Sequence, residues 1–187
     1  MVNKEPSSVS SGKPFGPGLV EVFTGNGKGK TTAALGIVLR AIAHNLKVYI
    51  VYFMKGGYPY GEQQVFSQLP NVDYSVFGYQ RLTDPDNIKP EEIEEARKAL
   101  DKAREVISSG DYDVVILDEI NIAAAWKLID VGDVLELIKS KPEDLELILT
   151  GRYADQSLIE AADLVTEMRK IRHPYDRGIR ARKGIDC

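Results

Sequence analysis

Lys30, Thr31, Asp118 and Glu119 are the residues of this 187-residue chain whose types and settings best suit chemistry on a charged ligand. Lys30 and Thr31 close the string LVEVFTGNGKGKTT from Leu19 to Thr32. An apolar β-type run ends at Thr24, a glycine-rich turn follows, and Lys30-Thr31-Thr32 opens a long apolar helix. Glycines let the backbone N–H groups of Asn26 to Lys30 turn inward around phosphate oxygens. The helix N-terminus adds partial positive charge, the Lys30 ammonium neutralises phosphate, and the Thr31 hydroxyl suits Mg²⁺. This is the layout of a phosphate-binding P-loop, G-x-x-x-x-G-K-[ST], with one departure. Its first position is Thr24, and the glycine falls one residue later, at Gly25.

The two acids follow from the same logic. Asp113 to Asp118 (DVVILD) reads as a buried strand ending in a carboxylate, with Glu119 next. Beside such a loop, a strand-terminal acid is the expected Mg²⁺ partner of Thr31, and spacing leaves open which of Asp118 and Glu119 serves. No Ser-His-Asp, Cys-His or zinc-type spacing is present, and His44 and His173 lie far apart without an evident role as bases. A site of this kind works by positioning and charge neutralisation, without a protein nucleophile.

The elements that must position these residues alternate regularly. Strands are expected at Leu19–Thr24, Lys47–Phe53, Val72–Phe77, Asp113–Asp118, Leu145–Thr150 and Leu164–Arg169. Helices are expected from Lys30 to about His44, Pro90 to about Ser109, Val131 to Ser140 and Gln156 to Ala162. The first is apolar nearly all round and should be buried against the sheet, whereas the second carries one narrow apolar stripe and suits the surface. Strands interleaved with helices at these spacings imply an α/β fold with a doubly wound, mostly parallel sheet of the nucleotide-binding type. Ligands bind such sheets at the carboxyl edge. That places the loop MKGGYPYGEQQ after the second strand, with Lys55 and Glu62 as its charged members, and Thr150-Gly151-Arg152, on the ligand side. From Arg169 to Lys183, seven Lys or Arg against the single Asp176 form a local basic patch fit to meet a phosphate chain or an acidic helix.

Bulk properties narrow the setting. A net charge of −4 argues against nucleic acid as a partner, and no apolar run is long enough to cross a membrane. The one cysteine, Cys187, permits no intrachain disulfide and fits a reducing cytoplasm. Met1–Pro17 lacks the apolar core of a signal peptide and reads as a flexible arm before a single domain from residue 18 to 187.

Six strings resemble those of the P-loop ATP:corrinoid adenosyltransferases. They are FTGNGKGKTTAA around the loop, Gly61-Glu62, LDEIN from Leu117 to Asn121, LTGR from Leu149 to Arg152, AADLVTEMR from Ala161 to Arg169, and HPYDRGIRARKGID from His173 to Asp186. The blocks run from Gly18 to Asp186, and the GNGKGKT loop is itself a hallmark of the family. The resemblance implies transfer of the 5′-deoxyadenosyl group of ATP to the Co(I) of a corrinoid, with release of triphosphate. ATP and a reduced corrinoid are then the substrates, Mg²⁺ accompanies ATP, and an external reductase supplies Co(I). It further implies ATP held with its γ-phosphate deepest in the loop and C5′ facing the corrinoid. Carried over by position, the ATP site comprises Gly25, Asn26, Gly27, Lys28, Gly29, Lys30, Thr31, Thr32, Arg40, Glu62 and Arg152. Lys30, Thr31 and Glu119 form its catalytic set, and Thr31, Glu119 and Asp118 are the metal candidates.

The chain departs from part of the family where some members carry a G-F-x-W segment that helps displace the lower cobalt ligand. Here the region reads FGYQRLTDPD, with Phe77, Tyr79 and Leu82 as candidates for a corrinoid pocket, and the sole tryptophan, Trp126, lies elsewhere. Family members commonly form homodimers in which the N-terminal arm covers a site. Two other functions suit the same loop: a P-loop ATPase or phosphotransferase, and a non-enzymatic module that binds and delivers ATP and a corrinoid.

Overall fold

The computed structural model describes residues 16–57, 60–81 and 83–186. The expected arm (1–17, nearly all of it), Leu82 and Cys187 therefore lie outside the described residues. Six strands form one sheet: β1 Val20–Thr24, β2 Val48–Tyr52, β3 Val72–Val76, β4 Val114–Asp118, β5 Glu146–Thr150 and β6 Leu164–Glu167. Their order is β3-β2-β4-β5-β1-β6, and every neighbouring pair is parallel.

The central strands β2, β4, β5 and β1 are largely buried on both faces, as their continuous apolar runs require. Val48, Ile50 and Tyr52 of β2, with Val114, Ile116 and Ile148, meet α1 (Lys30–Ala43) and α2 (Gly61–Phe66). Tyr49, Val51, Val115, Leu117, Leu147 and Leu149 pack on the other face against α3 (Pro90–Ser109), α4 (Ile120–Ala125), α5 (Val131–Ser140) and α6 (Gln156–Ala161). Helices on both faces make the sheet doubly wound.

Local chemistry sets the helix limits. α3 opens with Pro90 at its first position, and the Glu92 carboxylate accepts the Lys89 N–H at 2.9 Å. It closes on Gly110, whose φ of 73° relieves the last turn without Cβ strain. Apart from Lys30 at its start, α1 buries only the stripe Ala34, Val38 and Ala41, and Leu39 remains 61% exposed, so the helix lies on the sheet rather than within it. Two six-residue helices, α2 and α4, occupy stretches whose sequence reads as loop. β6 is the outer strand and all four of its residues are exposed, because strand order is fixed by long-range pairing that local pattern does not encode.

At the opposite end of β1 from the glycine-rich loop, burial comes first, and the neighbouring Glu146 adds to it, in pushing the Glu21 carboxyl up to about 7. Glu146 is itself held by the Leu19 N–H at 2.7 Å. Folded Glu21 thus keeps a proton that the unfolded chain releases near pH 4.5. Between those values the unfolded state binds fewer protons, so stability falls as pH rises through this interval. Glu21→Gln should remove that contribution. Melting temperatures of wild type and variant should be similar near pH 4.5, and the variant's should be higher at pH 8; an equal offset at both pH values would refute the assignment.

Candidate functional site

The carboxyl ends of β1, β2, β4, β5 and β6 all emerge on one edge. With the C-terminal residues 173–186 folded across it, that edge encloses a cavity of about 660 Å³. Gly27, Lys28, Gly29, Lys30, Thr31, Thr32, Glu62, Glu119 and Arg152 line it, so most of the residues singled out in sequence meet at one place.

The loop after β1 is wrapped onto the exit of β6. Gly25 has φ 95°, and a Cβ there would stand 2.4 Å from the Met168 carbonyl oxygen. Gly27 donates its N–H to that same oxygen at 2.6 Å, and a Cβ on it would also clash. Gly29, with φ 123°, caps α1 without any side-chain oxygen. The glycines are required by close approach and backbone hand alike. The Asn26 side-chain oxygen accepts the Lys170 N–H at 2.8 Å, so Asn26 ties the loop to the segment after β6 rather than lining the cavity. Buried Lys30 bends back over the loop and donates to the carbonyls of Gly25 (2.9 Å) and Gly27 (2.8 Å). Its pKa is lowered, chiefly by burial; Glu119 and Asp118 oppose the shift, and Arg152 adds to it.

The acids at the end of β4 differ sharply. Asp118 is buried and both its oxygens are engaged. Oδ1 accepts from the Thr150 hydroxyl at 2.6 Å, and Oδ2 is ion-paired with Lys55. Thr150 Oγ in turn accepts the Glu119 N–H at 3.0 Å. Glu119 adopts φ 65°, a left-handed turn at the start of α4 that presents its side chain to the cavity. Burial first, and then Asp118, raise the Glu119 pKa, against the pull of Lys55, Lys30 and Arg152.

Other expected site residues lie away from this cavity. Arg40 lies ten residues beyond Lys30 on α1, about 15 Å down the axis. It borders a second cavity with His44 and Glu146 at the other edge of the sheet, so it does not join the loop site. Phe77 packs against the α3-side core rather than forming a free pocket wall. Tyr79 is exposed, with the Arg81 guanidinium 4.9 Å from its ring centre.

The structure adds lining residues beyond the ATP set carried over by position, from two segments singled out in sequence. Lys55 and Tyr60 line the cavity from the β2 loop. His173, Tyr175, Ile179, Arg180 and Arg182 line it from the C-terminal segment, which Lys28 holds through Asp186 at 3.2 Å. The excess of basic residues was the signal for that segment, and the position of Lys55 just past a strand end was the signal for Lys55.

Among the described residues no group of three or more His, Cys, Asp or Glu is placed to cage a metal. A Mg²⁺ ion carried by a polyphosphate needs less, since substrate oxygens and water complete its octahedron. The hard oxygens of Thr31 and Glu119, facing one cavity, fit that requirement.

The sequence model of the family described as ATP:corrinoid adenosyltransferase BtuR/CobO/CobP matches residues 17–187. The chain is similar to a corrinoid adenosyltransferase of Sinorhizobium, at 40% identity over 171 residues (90% of this chain, 80% of the relative). It is also similar to one from Pseudomonas aeruginosa, at 38% identity over 170 residues (90% and 83%). Among solved structures, the flagellar accessory protein FlaH of Methanocaldococcus jannaschii superposes with a TM-score of 0.56 at 12% identity, covering 81% of this chain and 71% of that one. That likeness concerns the fold alone.

Thr150 connects the two acids through one oxygen. Thr150→Val keeps the shape but leaves buried Asp118 and the Glu119 N–H each short of a partner, which should cost about 1–3 kcal/mol. Urea unfolding should show a lower midpoint at unchanged slope, and an unaltered midpoint would contradict the network.

Proposed function

The chain belongs to the ATP:corrinoid adenosyltransferase family, and we infer from this that it transfers the 5′-deoxyadenosyl group of ATP to the Co(I) of a corrinoid, releasing triphosphate. The observation that carries the assignment of residues is convergence. Lys30, Glu62, Glu119, Arg152 and Arg182, from strings far apart in sequence, border a single cavity.

In the reaction the Co(I) substrate donates an electron pair to C5′ while the C5′–O bond breaks. The triphosphate leaves with the bonding pair, and cobalt ends formally as Co(III). No proton moves in this step, which accounts for a site without a base–nucleophile pair. The work left to the protein is to orient ATP and to stabilise the departing negative charge. We assign the loop from Gly25 to Gly29 as a P-loop cradle, its N–H groups and the α1 N-terminus facing phosphate. Lys30 exchanges its carbonyl partners for phosphate oxygens, and Arg152 approaches the chain from the β5 side. Thr31 and Glu119 would hold Mg²⁺, which supplies charge neutralisation to the triphosphate when bound. Asp118, with both oxygens committed, orients Glu119 through Thr150. Tyr79 is the exposed aromatic of its segment and the residue we assign to the corrinoid side, with Leu82 beside it in sequence.

The wider reading has a cytoplasmic enzyme, because ATP is its substrate, served by an external Co(II) reductase. It acts as a homodimer. Among the described residues β6 is an edge strand, with Leu164 and Val165 each 40% exposed, which supports pairing with a second copy.

Anaerobic incubation with MgATP and chemically reduced cob(I)alamin tests the activity. A light-sensitive adenosylcorrinoid spectrum with stoichiometric triphosphate is expected, whereas ADP without that spectrum would make the chain an ATPase or phosphotransferase. Lys30→Ala should lower the rate by about 10² or more at saturating ATP, the usual loss for one preorganised donor to a developing anion. Near-normal turnover would refute the cradle. Glu119→Gln should shift the Mg²⁺ titration to higher concentration, and a superimposable titration would remove Glu119 from the metal.

A further inference from the structure

Lys55 is partly buried at the carboxyl edge, its side chain 11% exposed, and its surroundings are those of a bound cation. Its ammonium is ion-paired with Asp118 Oδ2 and lies 3.5 Å from Thr31 Oγ. The rings of Tyr60 and Tyr52 stand 4.9 and 5.4 Å away, both within range for attraction to a positive charge. Burial acts to lower the Lys55 pKa, but the Asp118 and Glu119 carboxylates outweigh it and the net shift is upward.

The backbone that delivers this side chain is held on both sides. Phe53 N–H bonds the Asp118 carbonyl at 2.9 Å, and Lys55 N–H bonds the Phe77 carbonyl at 2.8 Å. Met54 takes φ 57°, and a Cβ on Gly56 would fall 1.8 Å from the Gly78 carbonyl oxygen. The tether is fixed, while the lysine stem is long and its end lines the open cavity. The charge is therefore pinned at its base, and its paired tip borders the cavity.

Deepening the site described above, and resting on its assignment of Thr31 and Glu119 to Mg²⁺, we propose that the Lys55 ammonium is the resident cation of the nucleotide-free site. It guards the position beside Thr31 and Asp118 against free divalent ions, so that Mg²⁺ enters only together with ATP. Local charge supports this. Asp118 and Glu119 are balanced by Lys30 and Lys55, so a free divalent ion would arrive uncompensated and a few ångströms from a fixed ammonium. The Mg–ATP complex is a net anion, and its phosphate oxygens offer Lys55 a new partner across the same cavity. Lys55 is on this view a positioning residue that sets the order of loading.

Mn²⁺ alone serves as the probe, with binding measured by equilibrium dialysis and EPR on nucleotide-free protein. Wild type and Lys55→Arg should retain little Mn²⁺ at millimolar concentration. Lys55→Met should bind it about 10²-fold more tightly, the effect of removing one adjacent positive charge at an intermediate dielectric. Equal affinities for wild type and Lys55→Met would overturn the proposal. Because removing one member of a buried ion pair endangers folding, a wild-type measurement stands beside it. The ¹⁵N-ammonium resonance of Lys55 should be unmoved by Mg²⁺ alone and shifted by MgATP; movement with Mg²⁺ alone, or none with MgATP, would also overturn it. Labelled ATP retained in the same dialysis reports separately on the ATP site. Retained ATP with equal Mn²⁺ affinities sinks the Lys55 proposal only, whereas no retained ATP sinks the underlying site assignment.

Discussion

The buried carboxylate of Asp118 is the interaction on which the rest of the site depends. A charge at the end of an interior strand is costly to desolvate and persists only with dedicated partners. Its partners come from the two strands that flank β4: Lys55 follows β2, and Thr150 ends β5. One side chain therefore locks three adjacent strand ends together. Thr150 passes the constraint on by accepting the Glu119 N–H, which holds Glu119 in a left-handed turn that other packing would disfavour. The acid that faces the cavity is aimed by the acid that does not.

The glycine-rich loop obeys a second constraint, set by its neighbour in the sheet. The common pattern puts glycine where this chain has Thr24. Here the Thr24 hydroxyl accepts the Ala154 N–H at 3.2 Å and so ties β1 to the turn after β5, a contact glycine cannot make. The need for glycine moves one residue on, to Gly25, where the chain passes against Met168. The shifted glycine reflects the parallel pairing of β6 beside β1, which gives this loop a wall that it must clear.

How much of this was legible in the sequence varies with the range of the physics involved. All six strands and the four expected helices follow from apolar runs and local stops such as Pro90 and Gly110, and their limits agree within a residue or two. Lys30, Thr31 and Glu119 could be grouped because loop, helix start and strand end are local signatures whose meeting place follows from any parallel sheet. Distance along an element was legible too, yet Arg40 was carried over by position, although ten helical residues remove it from the loop. The short α2 and α4 were not legible. α2 continues a Gly- and Pro-rich run that reads as loop, and α4 is preceded by Glu119 in a conformation that tertiary contacts impose. The inward turn of Phe77 and the return of residues 173–186 over the cavity are long-range packing outcomes.

The lysine cations of the site are paired within the protein. Lys30 holds two loop carbonyls, Lys55 holds Asp118, and Lys28 holds Asp186 of the C-terminal segment. On the proposed assignment each lysine would exchange one partner for another when a triphosphate enters, so binding strength is the difference between two sets of satisfied contacts. A short anion can replace only one of them and gains little over what the protein already has. On the same proposed assignment, a chain of three phosphates with its metal would span the loop, the β4 acids and the C-terminal segment at once and convert all three exchanges into gains. In the adenosyl transfer the same groups are most needed as the C5′–O bond breaks and the triphosphate acquires its full charge, because interactions that strengthen with that charge accelerate the step.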